Sequence, residues 1–167
     1  MPRPQNDKEV TLSVLDRLID ADPRNNAGDE YRTRAQSVRE LKNSVRRDLE
    51  WLLNTRRIAI EPDEELRELN KSAYMFGLPD FTAMSMANPK DQSKLMRTLQ
   101  TTIKLFEPRL GSVRIQAMEN NESLSRTLRF RIEGLLMMDP APELVSFDTV
   151  LELTKGEYQV KGEANAG

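Results

Sequence analysis

The chain of 167 residues contains neither cysteine nor histidine. Without cysteine it can form neither a disulfide nor a thiolate metal site. Without histidine it lacks the commonest transition-metal ligand and the commonest general base at neutral pH. No apolar run approaches the ~18 residues that cross a bilayer, and residues 1–10 have no apolar core of a signal peptide. We therefore expect a cytoplasmic protein without direct membrane insertion and without a metal site.

The charge of the chain is nearly balanced, with 25 basic and 27 acidic residues and a net charge of −2. Nucleic-acid-binding proteins lean on a strong basic excess, so we expect no nucleic-acid partner. Only 38% of the residues are hydrophobic and 31% are charged, which favours one modest core with solvated or partner-bound ends. We expect a mobile N-terminal segment at 1–30, a single α+β domain at 31–162 and a loose tail at 163–167.

A short apolar patch, VTLSVLDRLID, occupies residues 10–20 of that N-terminal segment. A polar loop at residues 24–30 separates it from the rest of the chain. Such a patch can fold back on its own core or dock on a partner, and the sequence leaves both alternatives open.

Residues 37–55 have apolar side chains at helical spacing, which predicts an amphipathic helix. Ser37 and Glu40 have the spacing of a capping box at its start. The opposite side of this helix is basic, and it includes Arg46 and Arg47 with Trp51 beside them. This side is either a solvated face or a docking face for an acidic partner, because tryptophan and arginine are enriched at interface hot spots.

A second amphipathic helix is predicted from Asn88, which is a good N-cap, to residue 106. Pro108 biases Glu107 out of the helical conformation, so the chain should turn there. Glu107 and Arg109 are then opposite charges on a turn just before a β-like run. They either form an exposed local ion pair, worth about 0–1 kcal/mol, or Arg109 bonds to carboxylate or carbonyl groups of a partner.

After Leu110 apolar and polar residues alternate, which is the pattern of half-buried strands. Strands are predicted at 113–117, 128–136 and 145–153, with short ones possible at 158–161 and 58–60. Residues 119–122 have the chemistry of a hairpin turn, and Gly134 marks a bulge or bend. The pattern predicts an α+β fold, in which amphipathic helices pack on one face of a small open antiparallel sheet of three to four strands. An open sheet leaves edges that can receive a strand from another chain.

Five segments carry a family resemblance, at residues 10–20, 44–57, 76–81, 106–110 and 145–153. The most specific are SVRRDLEWLLNTRR at 44–57 and FEPRL at 106–110. Together they resemble the TssE family of type VI secretion baseplate wedge subunits. That family is similar to the small wedge protein of contractile phage baseplates and has a historical "lysozyme-like" label.

The resemblance implies a structural role. It places the chain in the baseplate wedge with TssF, TssG and TssK, and it implies that the sheath of TssB and TssC starts polymerising on it by strand exchange. It also assigns an assembly contact to the Glu-Pro-Arg motif. The resulting partner-binding candidates are Glu107, Pro108, Arg109, Leu110, Arg46, Arg47 and Trp51.

The family label also raises a glycosidase hypothesis, which requires two facing carboxyl groups, one of them protonated. Candidate pairs such as Glu107 with Asp139, or Glu61 with Asp80, have no recognisable catalytic context. A cation beside Glu107 favours its charged form, and no Gly-rich phosphate loop is present. We therefore expect no enzymatic activity and no cofactor. The alternative function is a regulatory anti-adapter of related fold that binds a proteolysis adaptor.

Overall fold

The computed structural model describes residues 10, 13–18, 33–81, 84–85, 88–118, 127–152 and 156–162. Within them, three α-helices precede four strands: α1 Val14–Leu18, α2 Arg34–Asn54, α3 Pro89–Phe106, β1 Leu110–Ala117, β2 Thr127–Leu136, β3 Glu143–Glu152 and β4 Glu157–Val160. Two 3-10 turns, Leu69–Lys71 and Ala73–Met75, lie between α2 and α3. The chain divides into two compact units, Met1–Val45 and Arg46–Gly167, and the division falls inside α2.

In the first unit, α2 begins one turn earlier than predicted. Thr33 caps it, since Thr33 Oγ1 accepts from the N–H of Gln36 at 3.3 Å and the N–H of Thr33 donates to Gln36 Oε1 at 2.8 Å. This reciprocal pattern is a capping box. Ser37 lies inside the helix and donates to the Thr33 carbonyl at 3.2 Å. The capping box predicted at Ser37 and Glu40 is therefore wrong.

Helix α1 lies within the predicted N-terminal apolar patch. Asp16 connects it to α2, because Ser44 Oγ donates to Asp16 Oδ2 at 2.7 Å. The apolar side chains of this helix are exposed by 72, 52 and 76%, at Val14, Leu15 and Leu18. Residues 11–12 and 19–20 of the patch lie outside the described residues. Docking of the patch on a partner therefore stays a prediction.

The sheet of the second unit is antiparallel throughout, in the order β1-β2-β3-β4. Ile115 pairs with Ile132 and Ile132 with Phe147, so one face carries a continuous row of apolar side chains across three strands. Phe130, on the same face, is fully buried. The predicted α+β fold with a small open antiparallel sheet is confirmed. The hairpin turn predicted at 119–122 lies outside the described residues.

An irregularity in the first strand pair matches the bulge expected near Gly134. The register of β1 against β2 shifts between Gly111 and Arg114, so the extra residue is on β1, opposite Gly134. A Cβ atom at Gly134 would lie 3.3 Å from the Gly111 carbonyl oxygen. Glycine therefore allows the close approach that the bulge needs.

Helix α3 covers the sheet through three fully buried side chains, Leu95, Leu99 and Ile103. Its predicted N-cap is confirmed, because Asn88 Oδ1 accepts from the N–H of Lys90 at 3.0 Å. Leu49, Leu52 and Leu53 of α2 are also buried. The predicted amphipathic helices thus supply the apolar side chains that the sheet requires.

The strand predicted at residues 58–60 is wrong, and a single bridge precedes it instead. Arg56 pairs with Leu78 in parallel orientation, and Leu78 donates its N–H to the Thr55 carbonyl at 2.8 Å. Ile58 and Ile60 are 45 and 70% exposed, so no buried face holds them in a ladder. Gly77 turns the chain into this bridge with φ +105°.

Gly77 cannot be replaced without strain, because a Cβ atom there would lie 2.4 Å from the Thr55 carbonyl oxygen. We expect Gly77→Ala to lower the free energy of unfolding by at least about 2 kcal/mol, since positive φ adds to the clash. Gly162→Ala is the control, as its Cβ would contact nothing within 4 Å. Urea denaturation measures the free energy of unfolding of both variants. An equal loss in the two variants would contradict the close contact between Gly77 and the Thr55 carbonyl.

Candidate functional site

The Glu-Pro-Arg motif forms the turn that joins α3 to β1. Glu107 is the C-cap residue of α3, and its N–H donates to the Ile103 carbonyl at 2.8 Å. The N–H of Leu110 then donates to the Glu107 carbonyl at 3.1 Å, which closes the turn around exposed Pro108. Pro108 therefore ends the helix where the sequence predicts.

The side chains of this turn form an internal ion cluster. Arg109 donates from Nε to Glu107 Oε1 at 2.7 Å and from a terminal nitrogen to Glu107 Oε2 at 2.6 Å. The same terminal nitrogen donates to Asp48 Oδ2 of α2. Glu107 is only 4% exposed. The guanidinium thus connects α2 to the turn. The local ion pair between Glu107 and Arg109, one of the two alternatives, forms, but its carboxylate is buried rather than exposed.

The two carboxylates favour the charged form of Arg109. The side-chain hydrogen bond to Glu107 has the largest effect and raises the pKa of Arg109 above its ordinary value, whereas burial opposes this change. Asp48 adds a hydrogen bond and a charge in the same direction. Because a buried carboxylate without a cation is strongly unfavourable, Glu107 depends on Arg109.

Asp48 also connects this cluster to the basic side of α2. Asp48 Oδ1 accepts from Arg47 at 3.0 and 2.9 Å, while its other oxygen accepts from Arg109. The Arg47 guanidinium carbon lies 5.3 Å from the ring centre of Trp51, which is a cation–π contact. Trp51 is 56% exposed. Four of the predicted site residues are therefore joined in one cluster of contacts: Glu107, Arg109, Arg47 and Trp51.

Two predicted residues lie elsewhere in the second unit. Leu110 is 3% exposed and belongs to the core. Arg46 donates to the Val160 carbonyl at 3.3 Å, so it reaches the last strand rather than the ion cluster. The sequence analysis did not identify Asp48 as a site residue. The one feature that could have indicated it is its acidic side chain among the basic residues of α2. The sequence analysis also missed Asn54, which bonds strand β4.

The two edges of the sheet differ in how their backbone groups are satisfied. At β4, Asn54 donates to the Tyr158 carbonyl at 2.8 Å and accepts from its N–H at 2.8 Å. Arg46 adds the bond to the Val160 carbonyl. Helix α2 therefore closes the β4 edge with side chains, a recognised way of protecting an edge strand.

The β1 edge is only partly closed. Gln100 of α3 donates to the Val113 carbonyl at 2.7 Å. The N–H of Met118 donates to the Arg129 carbonyl at 2.9 Å, and this register directs the backbone groups of Ile115 and Ala117 away from β2. Within the described part of the chain, those outward groups have no hydrogen-bond partner.

A comparison with protein families matches residues 39–141 to the family described as baseplate wedge protein gp25. The chain belongs to this family. A search of curated proteins found no match. The matched region contains α2 from Arg39 onward, α3, the Glu-Pro-Arg turn, β1 and β2, so the ion cluster and the β1 edge both lie inside it. Family membership supports a structural role in a baseplate.

None of the described helices is both long and apolar enough to span a membrane. No group of three or more acidic side chains within the described ranges could hold a metal ion.

We expect the ion cluster to stabilise the fold. We expect Arg109→Ala to cost about 3 kcal/mol or more in the free energy of unfolding, because it leaves Glu107 buried without a cation. The double variant Glu107→Leu with Arg109→Leu should recover much of that loss, since it removes both charges. Arg97→Ala, at an exposed position of α3, is the control and should change stability by less than about 0.5 kcal/mol.

Urea denaturation of these variants tests the cluster. An Arg109→Ala variant as stable as Arg97→Ala would contradict the internal role. The same result matters for any binding assay, because lost binding by Arg109→Ala cannot by itself separate a partner contact from partial unfolding.

Proposed function

We propose that the chain is the TssE-type wedge subunit of a cytoplasmic type VI secretion baseplate, and that it seeds the contractile sheath by accepting a strand. The observation that carries this proposal is the partly open edge of β1 in a chain of the baseplate wedge family. A strand of a sheath subunit adds there through backbone hydrogen bonds with Ile115 and Ala117. The sheath partners are TssB and TssC.

The β1 edge supports strand addition better than the β4 edge does. An incoming strand at β4 would have to displace Asn54 and Arg46, which already bond Tyr158 and Val160. At β1 it meets outward N–H and C=O groups without partners among the described residues. The incoming strand therefore gains hydrogen bonds at β1 in exchange for bonds to water, without displacing a side chain of the described residues from these groups.

The wedge partners TssF, TssG and TssK bind a different surface in this proposal. Trp51 is exposed and lies against Arg47, and exposed aromatic and arginine side chains are the usual anchors of an interface. The ion cluster holds Arg47 and the Pro108 turn in place. Glu107 and Leu110 are buried, so they position this surface, whereas Trp51 and Pro108 contact the partner.

Two substitutions distinguish the role of the β1 edge from that of the surface around Trp51. Ala117→Pro removes an outward N–H from the β1 edge, where proline is tolerated because that N–H has no ladder partner. We expect this variant to lose capture of TssB–TssC and to keep capture of TssF and TssG. Trp51→Ala should show the reverse pattern. The measurement is recovery of each purified partner on the immobilised full chain.

Ala117→Val is the matched control for the proline, since it changes the side chain and keeps the N–H. It should bind TssB–TssC as the unaltered chain does. If Ala117→Pro remained folded by circular dichroism and captured TssB–TssC undiminished, strand addition at β1 would be wrong.

A further inference from the structure

A pocket of about 200 Å³ lies beside β4, between the end of α2 and the segment around Leu78. It is at the opposite edge of the sheet from β1. Its walls are mainly apolar and include Leu53, Leu78, Leu151 and Tyr158. This volume accommodates one large side chain, since an apolar cavity of about 150 Å³ already takes up benzene.

Arg56 is the one charged lining side chain of this pocket with no hydrogen bond or ion pair among the described residues. Asn54 is engaged with the backbone of Tyr158. Thr55 Oγ1 donates to the Trp51 carbonyl at 2.7 Å. Asp80 is also engaged in an interaction and is not free to bind a ligand. The pocket therefore offers an incoming group two uncommitted donors among the described residues, the Arg56 guanidinium and the Tyr158 hydroxyl, and of these Arg56 is the cation.

The guanidinium of Arg56 lies at the β3–β4 turn. One of its terminal nitrogens is 3.6 Å from the position that a Cβ atom would take at Gly156. Both residues line the pocket, and both are exposed. Because arginine pairs with carboxylates through two parallel hydrogen bonds, the favoured acceptor beside the pocket is a carboxylate.

We infer that this pocket receives an aromatic or branched aliphatic side chain from a segment of a partner protein, and that a carboxylate next to it in the partner pairs with Arg56. A small metabolite fits less well. Small-molecule sites usually have about 300–1,000 Å³ and several convergent polar groups, whereas this pocket has about 200 Å³ and two uncommitted donors. The inference does not depend on strand addition at β1.

The test uses peptides that vary the apolar side chain and the neighbouring carboxylate separately. The isotope-labelled full chain is titrated with acetyl-Phe-Asp-amide, acetyl-Phe-Asn-amide and acetyl-Ala-Asp-amide, and amide signals are followed by NMR. We expect the first peptide to shift the signals of Leu78, Leu151 and Tyr158. It should bind about fivefold more tightly than the Asn peptide, which is the gain typical of a partly exposed ion pair. The Ala peptide should bind most weakly.

Arg56→Gln should remove the preference for the Asp peptide over the Asn peptide and leave the fold intact, because this side chain is exposed. Arg129→Gln, at an exposed arginine of β2, makes the same change of charge elsewhere and should keep the preference. Unmoved pocket signals with all three peptides would overturn the inference. Equal binding of the Asp and Asn peptides, or of the Phe and Ala peptides, would overturn it as well.

Discussion

An open four-stranded sheet has two edges whose backbone N–H and C=O groups need partners. This constraint explains the side-chain hydrogen bonds that α2 and α3 make to the two edge strands. Asn54 and Arg46 reach from α2 to satisfy β4, whereas Gln100 of α3 satisfies only the Val113 carbonyl at β1. The fold thus protects the β4 edge with side chains and leaves part of the β1 edge available. In the proposed assembly role, a strand of another chain adds at the β1 edge.

The ion cluster gives the Glu-Pro-Arg turn its shape. Glu107 is buried where α3 ends, and Arg109 balances it while bonding Asp48 on α2. The two charged residues of this motif can be required for assembly without touching a partner, because the turn that they fix leads directly into β1. If a substitution of Glu107 or Arg109 abolished assembly, the first explanation would be a distorted turn rather than a lost contact with a partner.

Local patterns were enough to predict the strands and α3. Alternation at Leu128, Phe130 and Ile132 follows from the two-residue period of a sheet with one buried face, and Asn88 before proline is a local capping signal. Contacts distant in sequence were not predictable. Asp48 lies 61 positions from Arg109, and Asn54 lies 104 positions from Tyr158. The strand predicted at 58–60 is wrong because Ile58 and Ile60 are exposed and none of the described strands pairs with them.

The availability of the β1 edge can be measured directly by amide hydrogen exchange on the full chain, with and without the TssB–TssC sheath heterodimer. Our account predicts rapid exchange at Ile115 and Ala117 in the free chain and strong protection in the complex, with Tyr158 already protected in both. Unchanged exchange at Ile115 and Ala117, with new protection confined to β4, would contradict it.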